Sequence, residues 1–341
     1  MIIRIVLLVC FLMSLTIPVS AEEEVRHRLW EVYDEDQKVR GYLFGTIHNT
    51  PLSRYSEQSV AILFAVFSGL QEAIDQSHHL VFETAEMFGY EPLKDNNDLF
   101  RNCSRGLSSF LTGNEMELAR QKLSSENSQF SKESNVDCLN SMLVSLSDQF
   151  MLKGVDEDFS VFTGSVDDAL LSYGQSKKKT FGVLEWNEVH LMLLSFPEFI
   201  QKIRLKRWLL RDESRVLLTH EAQEYEYYRN MILSCYLTDP YCDITEAEKL
   251  SLGSRYAPGA YPSLFIYQWV EQYIEKIMVD ARNFCFMPTI KSELEKSYKS
   301  MFVVGYNHLY GQNGLVNLLL SSGYTVKPVM MKLPKRIKVQ E

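Results

Sequence analysis

The chain reads as α/β (α+β): a mixed, largely parallel sheet built from two strand-helix halves, with a mainly helical insertion between them. Three observations predict it. Near the start, the apolar run Gly41-Tyr-Leu-Phe-Gly-Thr-Ile47 is followed by a helical pattern and then by a second short apolar run ending at Glu83. Strand, helix and strand in that order close as a right-handed crossover with parallel pairing. Near the end, Met301 to Val304 is again an apolar run, followed by a helical pattern and a last strand, while most of the intervening chain has the 3.6-residue period of helices.

Leu29 to Tyr33 and Gly41 to Ile47 are apolar or alternating, with Asp34-Glu-Asp-Gln37 between them, which predicts a hairpin. Pro51 and Ser53 break the chain. Ser56 then caps one helix running to about Gln76, with an apolar face at Val60, Leu63, Phe64, Phe67, Leu70 and Ile74. His78 to Glu83 is a short buried strand ending on a carboxylate. From Leu107 to Gly174 the pattern is helical, with polar loops such as Ser124 to Asn135. Lys177-Lys-Lys-Thr-Phe-Gly-Val-Leu-Glu185 is a basic turn, an apolar strand and a terminal Glu. Helical patterns return over Asn187 to Met231, and Thr238 to Pro262 is a loop rich in Pro, Gly and Tyr, suited to a flap. Helices resume at Ser263 with a break at Pro288, followed by the strand Met301 to Val304. The helix Asn313 to Ser322 stops at Gly323, a natural C-cap, and Tyr324 to Met330 is the closing strand.

Residues 1–21 have a short basic head, an apolar stretch from Ile5 to Pro18 and small residues up to Ala21, the pattern of a secretory leader. Residues 22–334 are then a single domain with helical insertions at about 105–175 and 187–300, and 335–341 a basic tail. The expected location is outside the cytoplasm, periplasmic or secreted, with no membrane span once the leader is removed. A net charge of −9 argues against nucleic acid as the main partner. Beyond the leader stand Cys103, Cys138, Cys235, Cys242 and Cys285. In an exported protein Cys235 with Cys242, and Cys103 with Cys138, are possible bridges, and the odd count leaves a thiol over.

Gly45-Thr-Ile-His48 and Gly305-Tyr-Asn-His308 share one layout: an apolar strand, a Gly, two residues, a His. Glu83 and Glu185 also stand at the carboxyl ends of expected strands, the edge where open α/β sheets bind ligands. Imidazole nitrogens and carboxylate oxygens together suit a borderline divalent cation, which would activate water and polarise a carbonyl. A carboxylate left over would serve as general base. Against this, a lone His after a strand is commonly an ordinary loop residue, and a lone Glu there commonly caps a helix. His78, His79, His190 and His220 lack the framing and are read as structural.

Phe44-Gly-Thr-Ile-His48, Val81-Phe-Glu83, Phe181-Gly-Val-Leu-Glu185, Arg282-Asn283 with Met287, Val304-Gly-Tyr-Asn-His308 and Gly323-Tyr-Thr-Val-Lys-Pro-Val329 fall in the order of the TraB/GumN family, which this chain resembles from about Leu29 to Val329. Tiki proteins and, more distantly, erythromycin esterases are related to that family. The resemblance implies a metal-dependent peptidase using Mn, Co or Zn on a peptide or protein substrate. It also implies His48, Glu83 and His308 as metal ligands, with Glu83, Glu185 and Arg282 catalytic and Arg282 holding a carboxylate or an oxyanion. Two positions depart from the pattern: Ala85 stands where the family often has an acid, with Glu86 next to it, and His190 where Gln is usual. Two other readings are a peptide-sequestering protein of the same fold and a metal-independent esterase with a His base.

Overall fold

The computed structural model describes residues 26–47, 56–84, 101, 103–123, 135–142, 144, 166–185, 195–210, 231–237, 239 and 264–329. Strands β1 (Leu29–Tyr33) and β2 (Val39–Thr46) form the expected hairpin, antiparallel with Leu29 opposite Phe44 and a register shift at Val32/Tyr33. Gln37 takes the left-handed φ of 58° in the turn, and Asp34 Oδ1 accepts the Lys38 amide at 2.9 Å.

The single helix expected from Ser56 to Gln76 is two: α1 (Ser56–Val66) and α2 (Leu70–Gln76). Gly69 between them has φ +90°, and a Cβ there would stand 2.9 Å from Val329 Cγ1. The apolar period runs on through Leu63, Phe67, Leu70 and Ile74, all buried. A glycine in the left-handed region interrupts the helix without disturbing which face is buried.

Strand β3 (His79–Thr84) follows. Helix α3 (Gly113–Leu123) opens with a reciprocal cap, in which Glu115 Oε2 accepts the Thr112 amide at 2.8 Å and Thr112 Oγ1 accepts the Glu115 amide at 3.5 Å. Helix α4 (Val166–Ser176) leads into β4 (Thr180–Glu185), and α5 (Glu198–Leu210) follows. Helix α6 (Leu264–Leu294) runs through Pro288, so the expected break there is corrected. Proline removes one hydrogen bond and crowds the preceding turn, but Phe286, Met287, Ile290 and Leu294 on either side of it are all buried, and tertiary packing holds the helix together. Strand β5 (Ser300–Gly305), the 3-10 turn Tyr306–His308, α7 (Leu315–Ser321) and β6 (Thr325–Pro328) complete the described chain, with Gly323 at φ +92° ending α7 as expected.

The sheet order is β4-β3-β5-β2-β1-β6. β4, β3, β5 and β2 are mutually parallel, and β1 runs against both of its neighbours. The fold class is therefore the one expected. β5, at the centre, is buried at all six positions, as a parallel strand covered on both faces must be.

Two apolar clusters lie among the described residues. One is the sheet core, including Phe44, Phe67, Phe82, Phe286, Phe302 and Val303. The other gathers Leu107, Phe110, Met116, Leu139, Ile200 and Trp208 beside the Cys103–Cys138 disulfide. Helix α6 serves both, packing Ile277 and Met278 on the second cluster and Phe286 to Leu294 into the first. Arg282 and Asn283 stand between these two anchored stretches. Cys235 also belongs to a disulfide, whose other sulfur lies outside the described residues, and Cys285 is an exposed thiol.

Candidate functional site

Parallel pairing brings four strand ends to one edge. The register aligns Thr46 of β2 with Gly305 of β5, and Thr84 of β3 with Glu185 of β4. The two Gly-x-x-His segments thus finish adjacent strands, with their glycines offset by one residue, since Gly45 pairs with Val304. Gly45 is required by close approach: a Cβ would lie 2.5 Å from Leu309 Cδ1 and 3.2 Å from the Tyr306 backbone. That absence of a side chain lets the 3-10 turn carrying His308 fold back over β2.

Glu83 and Glu185 leave β3 and β4 into one cluster with Arg282 from α6 and His308 from the turn. Glu83 is held at both oxygens. Oε2 accepts the Gly305 amide at 2.7 Å, and Oε1 accepts a short hydrogen bond from Arg282 Nη2. Glu185, almost wholly buried, receives Arg282 Nη2 at 2.5 Å and Nε at 3.0 and 3.2 Å. Burial alone would make the guanidinium easier to deprotonate. The Glu83 and Glu185 carboxylates outweigh it and hold Arg282 more firmly charged than an ordinary arginine. Two carboxylates and one guanidinium leave the cluster one negative charge over.

His308 is oriented by Asn283, which the sequence placed in a motif without a role of its own. Asn283, fully buried, donates Nδ2 to the carbonyls of His308 at 3.2 Å and Asn313 at 2.8 Å. With its amide turned that way, Oδ1 faces His308 Nδ1 at 2.6 Å and must accept, so Nδ1 carries the proton. Nε2 is then the acceptor nitrogen, 3.5 Å from Arg282 Nη1 and 3.6 Å from Glu83 Oε1. Asn313 is in turn tied to Asp280, one turn earlier on α6, at 2.9 Å. The ring of Phe286 lies under both groups, 5.1 Å from the His308 ring and 5.4 Å from the Arg282 guanidinium carbon. One signal did point to Asn283: it is a weak helix former in the middle of a long helix, a place such residues occupy at a cost.

His48 lies outside the described residues. The strand that leads to it is firmly held as far as Ile47: Tyr236 donates to the Gly45 carbonyl at 2.7 Å, Thr46 Oγ1 lies 2.8 Å from the buried Asp167, and Val166 donates to the Ile47 carbonyl at 3.4 Å. His190 and His220 also lie outside the described residues, as does most of the expected flap. His79 is placed at the opposite, amino-terminal end of β3, 2.7 Å from Thr180 Oγ1, away from the cluster.

As a test of fit for a divalent cation, the donor chemistry is suitable. Nitrogen and oxygen donors about 2.1 Å from a tetrahedral ion stand roughly 3.4 Å apart, close to the observed 3.6 Å between His308 Nε2 and Glu83 Oε1. A proton fixed on the far ring nitrogen is how metal-binding histidines are held. Among the described residues, no group of three or more His, Cys, Asp or Glu side chains is arranged to hold an ion, and Arg282 stands beside the two donors.

A model of the TraB/PrgY/gumN family matches residues 28–328. The chain belongs to this family. The matched span begins one residue before β1 and ends on the last residue of β6, so the family unit takes in the whole sheet and the cluster at its edge. Neither the curated proteins nor the solved structures give a match.

Proposed function

We propose that this TraB/PrgY/gumN protein is an exported metal-dependent hydrolase, with a peptide or protein as substrate. The observation that carries the reading is the pairing of Glu83 Oε1 with His308 Nε2 at 3.6 Å, on the ends of adjacent strands, with the histidine tautomer set by Asn283. Glu83, His308 and, from the Gly-x-x-His pattern, His48 are the residues assigned to hold the ion. A divalent cation bound there supplies a lowered water pKa and a polarised carbonyl.

Each residue of the cluster has a part in this reading. The Gly305 amide fixes Glu83 against rotation. Phe286 covers one side of the imidazole and keeps water from it. Glu185 is held by Arg282 at both of its oxygens and is a supporting carboxylate or the general base. Arg282 gives Nε and Nη2 to the carboxylates, so its direct contact with a substrate oxyanion would be through Nη1, the edge turned to His308. Export is supported by the leader-like residues 1–21 and by the disulfides at Cys103–Cys138 and at Cys235, bonds that persist in oxidising compartments.

The test is metal content and peptide cleavage on the same preparations. Wild type stripped with chelator and reloaded with Mn, Co or Zn should bind one ion and yield cleavage products by mass spectrometry. His308→Ala and Glu83→Gln should lose both. Equal metal content in those variants overturns the ligand assignment. Binding of peptide without products under any metal favours sequestration, and full turnover in chelator favours a metal-free esterase in which His308 Nε2 is the base.

A further inference from the structure

Arg282 is poised between the two carboxylates in a way that bears on how an ion enters. Its Nη2 bridges Glu83 Oε1 and Glu185 Oε1, while Nε contacts only Glu185, at 3.0 and 3.2 Å to its two oxygens. Glu185 therefore receives two of the guanidinium nitrogens, Nε and Nη2, and Glu83 only Nη2. Glu83 keeps a second, independent anchor in the Gly305 amide, so its carboxylate stays in place if the Arg282 contact is given up. The Glu83 oxygen that Nη2 contacts, Oε1, is the one facing His308 Nε2.

We propose that Arg282 is a built-in counter-cation: in the metal-free protein its guanidinium holds Glu83 Oε1, and a divalent cation binding at Glu83 and His308 displaces it onto Glu185 alone. This rests on the metal reading given above and adds a role for Glu185, as the residue that retains the displaced guanidinium. The physical ground is mutual exclusion. A guanidinium in hydrogen-bond contact with a carboxylate oxygen occupies the lone pairs that oxygen would offer an ion, and two cations sharing one buried oxygen repel. The uneven division of Arg282's donors makes Glu83 the contact that yields. Exchange of one cation for the other also limits the unbalanced charge at the buried cluster in either state.

The experiment is isothermal titration of the mature full chain with Zn and with Mn, wild type against Arg282→Gln, Arg282→Lys and Glu185→Gln, with the melting temperature measured with and without metal. Arg282→Gln is expected to bind at least tenfold more tightly than wild type, and Arg282→Lys, which loses the planar Nε/Nη2 pair but keeps the charge, about threefold more tightly. Glu185→Gln is expected to bind more weakly, because the guanidinium then has nowhere else to go. In the metal-free state Arg282→Gln should melt below wild type, and metal should raise its melting temperature by the larger amount. If Arg282→Gln does not fold, Arg282→Lys is judged on the same scale. Wild type binding with both arginine variants equal or weaker overturns the exchange and leaves the metal reading standing. No binding by wild type or any variant overturns both. Binding by Arg282→Gln where wild type binds none supports the exchange in its strongest form.

Discussion

Replacing Asn283 by Ala removes three hydrogen bonds at once: those to the carbonyls of His308 and Asn313 and the one accepted from His308 Nδ1. Asn283 is fully buried, as is most of His308, so water does not readily take its place. A buried group left without its partner costs about 1–3 kcal/mol, whereas the net worth of a hydrogen bond exchanged with water is nearer 1 kcal/mol. The turn's two carbonyls and the imidazole proton together put the loss at roughly 3–5 kcal/mol, a large share of the ~5–15 kcal/mol that holds a domain folded. Urea unfolding of Asn283→Ala, His308→Ala and the double variant separates the terms. If Asn283 acts on the site through the imidazole, the double variant loses at least about 1 kcal/mol less than the sum of the two singles, because the second change removes a partner already gone. Imidazole nitrogen resonances give an independent reading: wild type should show His308 with its proton on Nδ1, and the variant a mixture of tautomers. Additive losses with an unchanged tautomer refute the positioning argument and leave Asn283 as a tie for the Asn313 loop.

Four other outcomes are expected. Gly45→Ala should lower stability by about 1–3 kcal/mol, since the new methyl meets Leu309 and the Tyr306 backbone, and Leu309→Ala in the same chain should return part of the loss in thermal melts. Thr112→Ala should cost about 1 kcal/mol as a lost cap. The Thr112 amide, then Lys206 and the Thr112 hydroxyl, draw the Glu115 carboxyl down to about 2, so its contribution is fully present above pH 4.5 and fades as pH falls toward 2. That fall should be absent from Glu115→Gln in acid titrations followed by circular dichroism. Breaking Cys103–Cys138 by double Ala substitution reopens a loop of 35 residues' separation, worth about 4 kcal/mol on the chain-entropy estimate, read as a shift in the urea midpoint.

The parts of the fold legible in the sequence were those written in short-range pattern. Alternation and the Asp34 to Gln37 turn announced the β1/β2 hairpin, and the crossover rule made β3 parallel to β2, though the two do not pair directly because β5 lies between them. Gly323 marked the end of α7. The misses came from opposing local signals. Gly69 lies inside a continuous apolar period, and periodicity does not reveal that its φ is positive. Pro288 signals a break, but the burial of Phe286, Met287, Ile290 and Leu294 overrides it, and burial belongs to the tertiary structure. At the site, Glu83, Glu185, Arg282 and His308 could be named from strand ends and motif order, and they do meet in one cluster. Asn283 could be noticed there, but its part and that of the Gly305 amide could not be read, because they depend on which way an amide and a backbone N–H point across 25 and 222 residues of separation.

Helix α6 explains why these groups converge. A sheet edge alone presents carboxylates and a histidine on separate strands, with nothing to set the distances between them. α6 is anchored at two places, by Ile277 and Met278 on the helical cluster and by Phe286 to Leu294 on the sheet core, and the stretch between them is thereby fixed over the strand ends. Asp280, Arg282 and Asn283 come from that stretch and Phe286 from the anchor that ends it, and they reach Asn313, the two glutamates, His308 and the imidazole face in turn. Successive helix residues point about 100° apart, so Arg282 and Asn283 reach the site on different sides: Arg282 bonds the two carboxylates and lies 3.5 Å from His308 Nε2, while Asn283 holds His308 Nδ1. Arg282 governs the charge of the carboxylates and Asn283 the orientation of the imidazole. A displacement of α6 therefore acts on both halves of the site together, so substitutions at Ile277 or Met278, which pack on the helical cluster, should shift the metal affinity and the His308 tautomer in parallel rather than separately.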